Sequence, residues 1–214
     1  MNRRTLALGL ALLPLLAWAV DEPEVTEDGL VRVPSNPKVG VYRAPDVPFA
    51  RYQRISIGSI PVKFSRNFER TNPRLKEADL ERLRGDVVRM YREELVAELV
   101  ERGGYDLTDS ADPDVLRIDP AIVDLDISAP QAGKVPGSRT FVRTTGSMQL
   151  VAELRDAASG VIVARIIDYE KSRDDGHLQP ADPVSNADEL RRLFASMARQ
   201  TRGALEVAKN RRAP

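Results

Sequence analysis

Residues 141–156 show the clearest alternation of apolar and polar positions along the chain. The apolar side comprises Val142, Met148, Leu150, Ala152 and Leu154. A period of two is typical of an antiparallel strand with one buried and one solvent-facing side. A turn at residues 158–160 follows, and it predicts a hairpin with a second strand over residues 161–172.

Two earlier strands change the side of their apolar residues partway along. In residues 54–64 the change falls at Gly58 and Ser59 and predicts a β-bulge, because a strand keeps its faces unless it contains an extra residue. In residues 114–128 the change falls near Pro120. We expect an edge position or a kink there, because proline cannot donate to a ladder.

Two long helices are predicted from apolar positions that recur every three or four residues. The first covers residues 76–102 and ends at Gly103 and Gly104, which suit a left-handed stop. The second begins after Asn186 as its cap, with Glu189 as the partner of a capping box.

Together these elements predict an α+β fold: an antiparallel sheet of four to five strands, mixed at one edge, with two long helices packed on one face. The same pattern predicts the domain organisation. We expect a signal peptide over residues 1–19, a Pro-rich and partly disordered segment over 20–53, one α+β domain over 54–209, and a basic tail over 210–214.

The start of the chain has the three parts of a secretory signal peptide. Arg3 and Arg4 precede an apolar run over residues 6–16, and Ala17 and Ala19 offer a small-x-small cleavage site. The run is shorter than the roughly 20 residues that a membrane span needs. The pattern predicts an exported, periplasmic and soluble protein that uses either the general secretory or the twin-arginine route.

Composition narrows the possible chemistry. The 214 residues include 32 basic and 32 acidic side chains and no cysteine. Balanced charge argues against a nucleic-acid partner, because proteins that bind nucleic acids carry an excess of basic side chains. The lack of cysteine excludes disulfides, thiolate zinc sites and a cysteine nucleophile, and it leaves the signal peptide without a lipid-accepting residue. No cofactor is predicted.

Three residues provide weak signals for catalysis or metal binding. Asp124 and Asp126 are two apart in a strand, so period two places both carboxylates on one side. His177 is the one histidine and follows two aspartates, which suits a general base or a metal ligand. Neither motif has a further ligand or base at a useful spacing. A polar strand face and a solvated loop are the plainer interpretations.

The polar side of residues 141–156 is the candidate binding surface. It comprises Arg143, Thr145, Ser147, Gln149, Glu153 and Arg155. Alternating guanidinium, hydroxyl and amide groups could contact a partner protein or a polysaccharide. An ordinary wet sheet face is the alternative interpretation.

Several short motifs resemble an uncharacterised family of small exported bacterial proteins, the domain of unknown function 3313. The motifs are residues 42–47 with Phe49 and Tyr52, then residues 102–105, 112–117 and 152–160. The resemblance covers about residues 40–207 and brings no catalytic residues. Members of that family are mostly regarded as lipoproteins, but this chain has no cysteine to anchor. By fold analogy, the element order also resembles the N-terminal domain of TolB-type envelope proteins.

We therefore expect a non-enzymatic binding or accessory module of the Gram-negative cell envelope, with an envelope protein or a lipid as its partner. One alternative is a carrier that holds an apolar ligand or lipid between sheet and helices. Another is a hydrolase that uses Asp124, Asp126 and His177.

Cleavage after Ala19 is the testable consequence of the signal-peptide pattern. The mature protein is expected in the periplasmic fraction with Val20 as its first residue, because the cleaving enzyme recognises the small-x-small site. Cell fractionation with a salt wash, followed by N-terminal sequencing, measures both. A different first residue, or retention in washed membranes, contradicts the prediction.

Overall fold

Ten strands and three α-helices are seen in the computed structural model, whose described residues are 24–34, 39–127, 141–142, 146–171, 179–180 and 183–210. The strands are β1 (Val31–Val33), β2 (Val39–Arg43), β3 (Arg54–Ile57), β4 (Val62–Phe64), β5 (Asp106–Leu107), β6 (Val115–Ile127), β7 (Phe141–Val142), β8 (Gly146–Asp156), β9 (Ile162–Lys171) and β10 (Gln179–Pro180). The helices are α1 (Arg66–Thr71), α2 (Glu77–Val96) and α3 (Pro183–Asn210).

Eight of these strands form one mixed sheet in the order β1-β2-β9-β8-β6-β3-β5, with β4 also paired to β6. In this order, the neighbours β1 and β2, β2 and β9, β9 and β8, and β8 and β6 are antiparallel. β3 and β4 each pair with β6 in parallel, and β5 pairs with β3 in parallel. The mixed α/β architecture and the two long helices are confirmed. The prediction of four to five strands is wrong, because β1 and β2 precede the predicted first strand and that strand is itself divided.

The burial pattern of β8 follows the predicted alternation. Met148, Leu150, Ala152 and Leu154 are fully buried in the main core. The strand is shorter than predicted, however, because β7 is separate from it and pairs with β10 in a two-stranded sheet. β8 and β9 form the predicted hairpin, with Gly160 at a positive φ of 72° in the turn.

The two long helices pack against each other and against the same side of the sheet. Tyr91 of α2 and Phe194 of α3 are fully buried, with ring centroids 5.4 Å apart. α2 continues into a π-helical turn over Ala97–Glu101, and Gly104 at φ 69° provides the predicted stop. α3 begins at Pro183, so Asn186 lies inside its first turn and is not the cap. Proline suits a first helical position, where its missing N–H is not needed.

A buried carboxylate joins the end of the π-helical turn to α3. Glu98 is only 3% exposed and accepts hydrogen bonds of 3.0 Å from both Arg102 and Arg202. A buried charge is costly unless it is paired in this way. The Glu98 pairs therefore fix α3 against the turn that ends α2.

The predicted first strand is interrupted rather than bulged. β3 ends at Ile57 and β4 begins at Val62, and both pair with β6. Pro120 of β6 lies between Ile118 and Ile122, whose backbone groups bond to this segment. Pro120 therefore faces the interruption between β3 and β4. No paired strand there requires the backbone N–H that proline lacks. The expectation of an edge or a kink at Pro120 is wrong, because β6 is an interior strand with regular pairing to β8 there.

The extra residue of β6 lies farther along, at Asp124. Val123 pairs with Gln149 and Asp126 with Ser147, so three steps on β6 oppose two on β8. Asp124 has a φ of 51°, a left-handed conformation that aspartate tolerates better than most side chains. Before the bulge, the even-numbered residues of β6 lie on the buried side. After it, the odd-numbered Leu125 lies on that side.

Asp156 ties the β8–β9 turn to the segment that follows β2. The backbone N–H and the hydroxyl of Ser159 each donate to its Oδ1 at 2.8 Å, and the Tyr52 hydroxyl donates to Oδ2 at 3.1 Å. Arg51 forms an ion pair with the same oxygen. Burial alone raises the pKa of Asp156, but the bonds from Ser159 and Tyr52 and the charge of Arg51 outweigh it and lower that pKa.

The positive φ of Asp124 predicts unequal effects of two substitutions. Asp124→Gly should leave the free energy of unfolding within about 0.5 kcal/mol, because glycine adopts this conformation readily. Asp124→Val should lower it by about 1–2 kcal/mol, because a β-branched side chain is strained there. Urea unfolding measures both, and equal effects of glycine and valine contradict the bulge geometry.

The contacts of Asp156 predict a pH-dependent effect. Asp156→Asn should lower the free energy of unfolding at pH 7 by about 2 kcal/mol, because several donors lose a charged acceptor. The folded-state pKa lies below the unfolded value of about 3.9, so this contribution is complete above that value and is lost as the pH falls through the folded-state pKa.

The difference between wild type and Asp156→Asn should therefore shrink below about pH 4. Urea unfolding from neutral to acidic pH measures it, with Asp46→Asn as the control because Asp46 is an exposed aspartate. A difference that stays constant across this range is incompatible with a lowered pKa at Asp156.

Candidate functional site

The side of the sheet away from α2 and α3 presents side chains from β6, β8 and β9. Directly paired residues of antiparallel strands point to the same side, so the register places Glu153 between Asp119 and Arg165. We call this surface the open face. Its members are Arg117, Asp119, Ala121, Val123, Ser147, Gln149, Val151, Glu153, Arg155, Arg165, Ile167 and Tyr169.

Four of the six predicted binding residues lie on the open face: Ser147, Gln149, Glu153 and Arg155. All four are half-buried. Arg143 and Thr145 lie outside the described residues. The alternation thus places these side chains on the side away from the helices, and the binding role of that side stays a prediction.

Six charged side chains form a continuous series of ion pairs that begins on the open face and ends beyond it. The ion-pair row consists, in order, of Arg117, Asp119, Arg155, Glu153, Arg165 and Asp28. It contains three guanidinium groups and three carboxylates, so its charges cancel. Opposite charges across neighbouring strands stabilise a sheet and help to set its register.

Glu153 is at the middle of the row. It accepts hydrogen bonds from Arg155 at 2.5 Å and from Arg165 at 3.0 Å. Arg155 also lies 3.5 Å from Asp119, which accepts a hydrogen bond of 2.8 Å from Arg117. Because each acid of this part contacts two arginines, neither Glu153 nor Asp119 is available as an isolated acid or base.

Between the ion-pair row and Ser147 the open face carries no charge, and the register partners of Ser147 at the far edge are Asp126 and Lys171. We call this region the uncharged half; its members are Ala121, Val123, Gln149, Val151, Ile167 and Tyr169. Tyr169 is 55% exposed, whereas the aliphatic members are half-buried. The sequence prediction included Gln149 but missed the other five residues; in β8, Val151 interrupts the polar alternation. The period-two spacing of Arg165, Ile167 and Tyr169 in β9 was the available signal.

A turn at residues 24–30 lies beside the β2 end of the open face. Asp28 in this turn accepts a hydrogen bond of 2.8 Å from Arg165, two strands inward from β1. Tyr42 pairs with Arg165 in the register and shares its side of the sheet, yet it is only 2% exposed. The hydrogen bond from Thr26 lowers the pKa of Asp28, partial burial opposes this, and Arg165 lowers the pKa further.

The lipid-carrier alternative requires a space between sheet and helices. An apolar crevice lies there, lined by Val41, Phe49, Leu154, Ala204 and other side chains, with Arg43 at its wall. Its volume is about 10 Å³, close to the minimum for one water molecule. An acyl chain does not fit in this crevice unless the surrounding side chains move.

The two aspartates of the hydrolase alternative are not presented as the pair that the sequence predicts. The bulge at Asp124 breaks the period of two, so Asp124 and Asp126 are not the matched pair that their spacing predicts. Asp126 accepts a hydrogen bond of 2.7 Å from Asn67. His177 lies outside the described residues. Within the described ranges, no three histidine, aspartate or glutamate side chains are grouped as metal ligands.

Solved structures of three bacterial proteins are similar to this chain at low identity. A PelC dodecamer from Paraburkholderia phytofirmans is 12% identical, with 76% of this chain and 96% of that chain covered and a TM-score of 0.38. The DUF330 protein XCC0632 from Xanthomonas campestris is 9% identical, with 73% and 85% covered and a TM-score of 0.40. A minor lipoprotein from Acinetobacter baumannii is 11% identical, with 74% and 94% covered and a TM-score of 0.34.

No curated protein matches the chain. In the part of the chain that the structure describes, no helix is both long and apolar enough to cross a membrane. One family model does match, over residues 24–201, and it includes every strand of the large sheet and most of α3. The family expected from the short motifs is thereby confirmed. The chain belongs to the family described as "Protein of unknown function (DUF3313)".

Proposed function

We propose that the protein is a non-enzymatic, exported binding module of the Gram-negative cell envelope, and that its open face binds a partner protein. The uncharged half carries this proposal. Tyr169 is 55% exposed; it is paired with Gln149 and lies between Ile167 of the uncharged half and Lys171 at the far edge. Interfaces are enriched in aromatic residues and are depleted in charged residues at their centre.

The form of the open face favours a protein over a small molecule. Small-molecule sites are concave and enclose most of their ligand, whereas the uncharged half is made of three adjacent strands, β6, β8 and β9. The ion-pair row borders it on one side. An apolar centre with a polar border is the usual arrangement of a protein interface.

Two observations favour binding over catalysis. Two deeply buried carboxylates, Glu98 and Asp156, are each held by an arginine that joins separate segments of the fold. The paired acids of the open face neutralise arginines.

Residues 1–19, with their signal-like sequence, support export of the chain to the envelope.

Site-specific photo-crosslinking in living cells tests the proposal. A photoreactive residue at Gln149 or Tyr169 should give one discrete adduct with a partner protein, because both positions lie in the uncharged half. Arg82 on α2 is the matched control, since its side chain is 76% exposed but lies away from the open face. An adduct at all three positions alike, or none at Gln149 and Tyr169 in exported protein, refutes the proposal.

A second variant separates binding from folding. Tyr169→Asp should abolish the adduct at Gln149, because a charge at the centre of an apolar interface must be desolvated on binding. The same substitution should change the melting temperature little, because the side chain is exposed. Retention of the Gln149 adduct in Tyr169→Asp places the contact elsewhere.

A further inference from the structure

The ion-pair row is neutral only because Asp28 completes it. The five members that belong to the sheet are three arginines and two acids, so the row has an excess positive charge without Asp28. Arg165 is at the end of this series, and its second carboxylate partner comes from the turn. The β2 end of the open face therefore has a site for a carboxylate that the sheet does not provide itself.

The turn contributes an ion pair and a buried apolar side chain at this end of the sheet. Asp28 bonds to Arg165, and Leu30, two residues farther along, is only 2% exposed. Leu30 and Tyr42 are both buried but lie outside the main core cluster. This end of the sheet thus has buried apolar side chains outside the helix-covered core, and Tyr42 shares the side of Arg165.

The rest of the turn is bonded to itself and to β1. Thr26 accepts from Gly29 and bonds to Leu30, and Val25 forms a single bridge to Val31. The turn is acidic, since residues 24–30 contain three carboxylates and no basic side chain. An acidic segment with an aliphatic side chain is therefore what this end of the open face already binds.

We infer that the β2 end of the open face docks an acidic segment of the partner protein, with a carboxylate on Arg165 and an aliphatic side chain beside Tyr42, and that residues 24–30 occupy this site in the free protein. This inference rests on the proposed function, because it specifies the chemistry of the partner at the same face. The turn and the partner segment exclude each other, so the apparent affinity of the site is its intrinsic affinity multiplied by the fraction of time that the turn is not seated.

The ion pair between the turn and the sheet is weak enough for exchange. The Asp28 and Arg165 side chains are 36% and 21% exposed, and an ion pair of that exposure shifts an equilibrium by no more than about fivefold. Removal of the Asp28 carboxylate should therefore open the site without unfolding the sheet.

Fluorescence anisotropy with a labelled peptide of residues 24–31 tests the inference on the mature full-length chain. Asp28→Asn should bind this peptide about fivefold more tightly than wild type, because its own turn no longer competes for Arg165. Glu27→Gln is the matched control, since it removes one charge from an exposed neighbour in the same turn, and it should bind like wild type. Binding to Asp28→Asn should weaken as salt is raised.

Two further measurements assign the contact. A peptide in which Asp28 is replaced by asparagine should lose binding to the Asp28→Asn chain. The two peptides are compared on the same protein, so the difference reports on the peptide carboxylate alone. Arg165→Gln in the Asp28→Asn chain should lose binding to the original peptide. Equal binding by Asp28→Asn and Glu27→Gln, binding that ignores the peptide carboxylate, or no binding at all overturns the inference. Cellular adducts at Gln149 together with any of these results would leave the proposed function standing, whereas the absence of adducts refutes the proposed function itself.

Discussion

The two long helices cover only one side of an eight-stranded sheet, and this constraint organises the rest of the molecule. Leu150 and Ala152 are fully buried beneath the helices, whereas Val151 between them is half-buried on the other side. Antiparallel strands suit this arrangement because their side chains alternate between the two faces. The open face must be compatible with water, and the ion-pair row provides that compatibility along one border.

The local sequence pattern predicted those strands and helices that pack through one side against a single neighbouring layer. The alternation in β8 and the three-to-four spacing in α2 and α3 identified the core positions, because each element packs through one side. β2 has no such pattern: all five of its residues are buried, including Gly40 and Arg43. Its main partner is β9, far along the chain. Pairing over that distance leaves no trace in the local sequence, so β2 was missed, and with it β1, which pairs with β2 at the sheet edge.

The phase change in β6 was visible in the sequence, but its position was not. A proline is a common cause of such a change in a strand. Pro120 does not cause it here, because β3 and β4 are interrupted opposite this residue. The extra residue is Asp124, whose side chain is compatible with the left-handed conformation that the bulge requires. The interruption and the bulge lie in neighbouring strands, and neither position follows from one segment considered alone. The same bulge removes the apparent pairing of Asp124 with Asp126.

The candidate site depends on register even more than the fold does. Gln149 was identified from β8 alone, but its neighbour Tyr169 is placed beside it only by the pairing of β8 with β9. The contact of Asp28 with Arg165 likewise spans β1, β2 and β9.

In the proposed docking, this contact would also make the open face selective. When the turn is displaced, Arg165 keeps Glu153 but loses Asp28. A partner that covers Arg165 without replacing that carboxylate therefore leaves its charge only partly compensated, which is costly on desolvation. A purely apolar partner could bury Tyr169 but would leave Arg165 short of an acceptor. A partner with a suitably placed acid satisfies both, so the ion pairs that keep this face stable in water also limit what can bind to it.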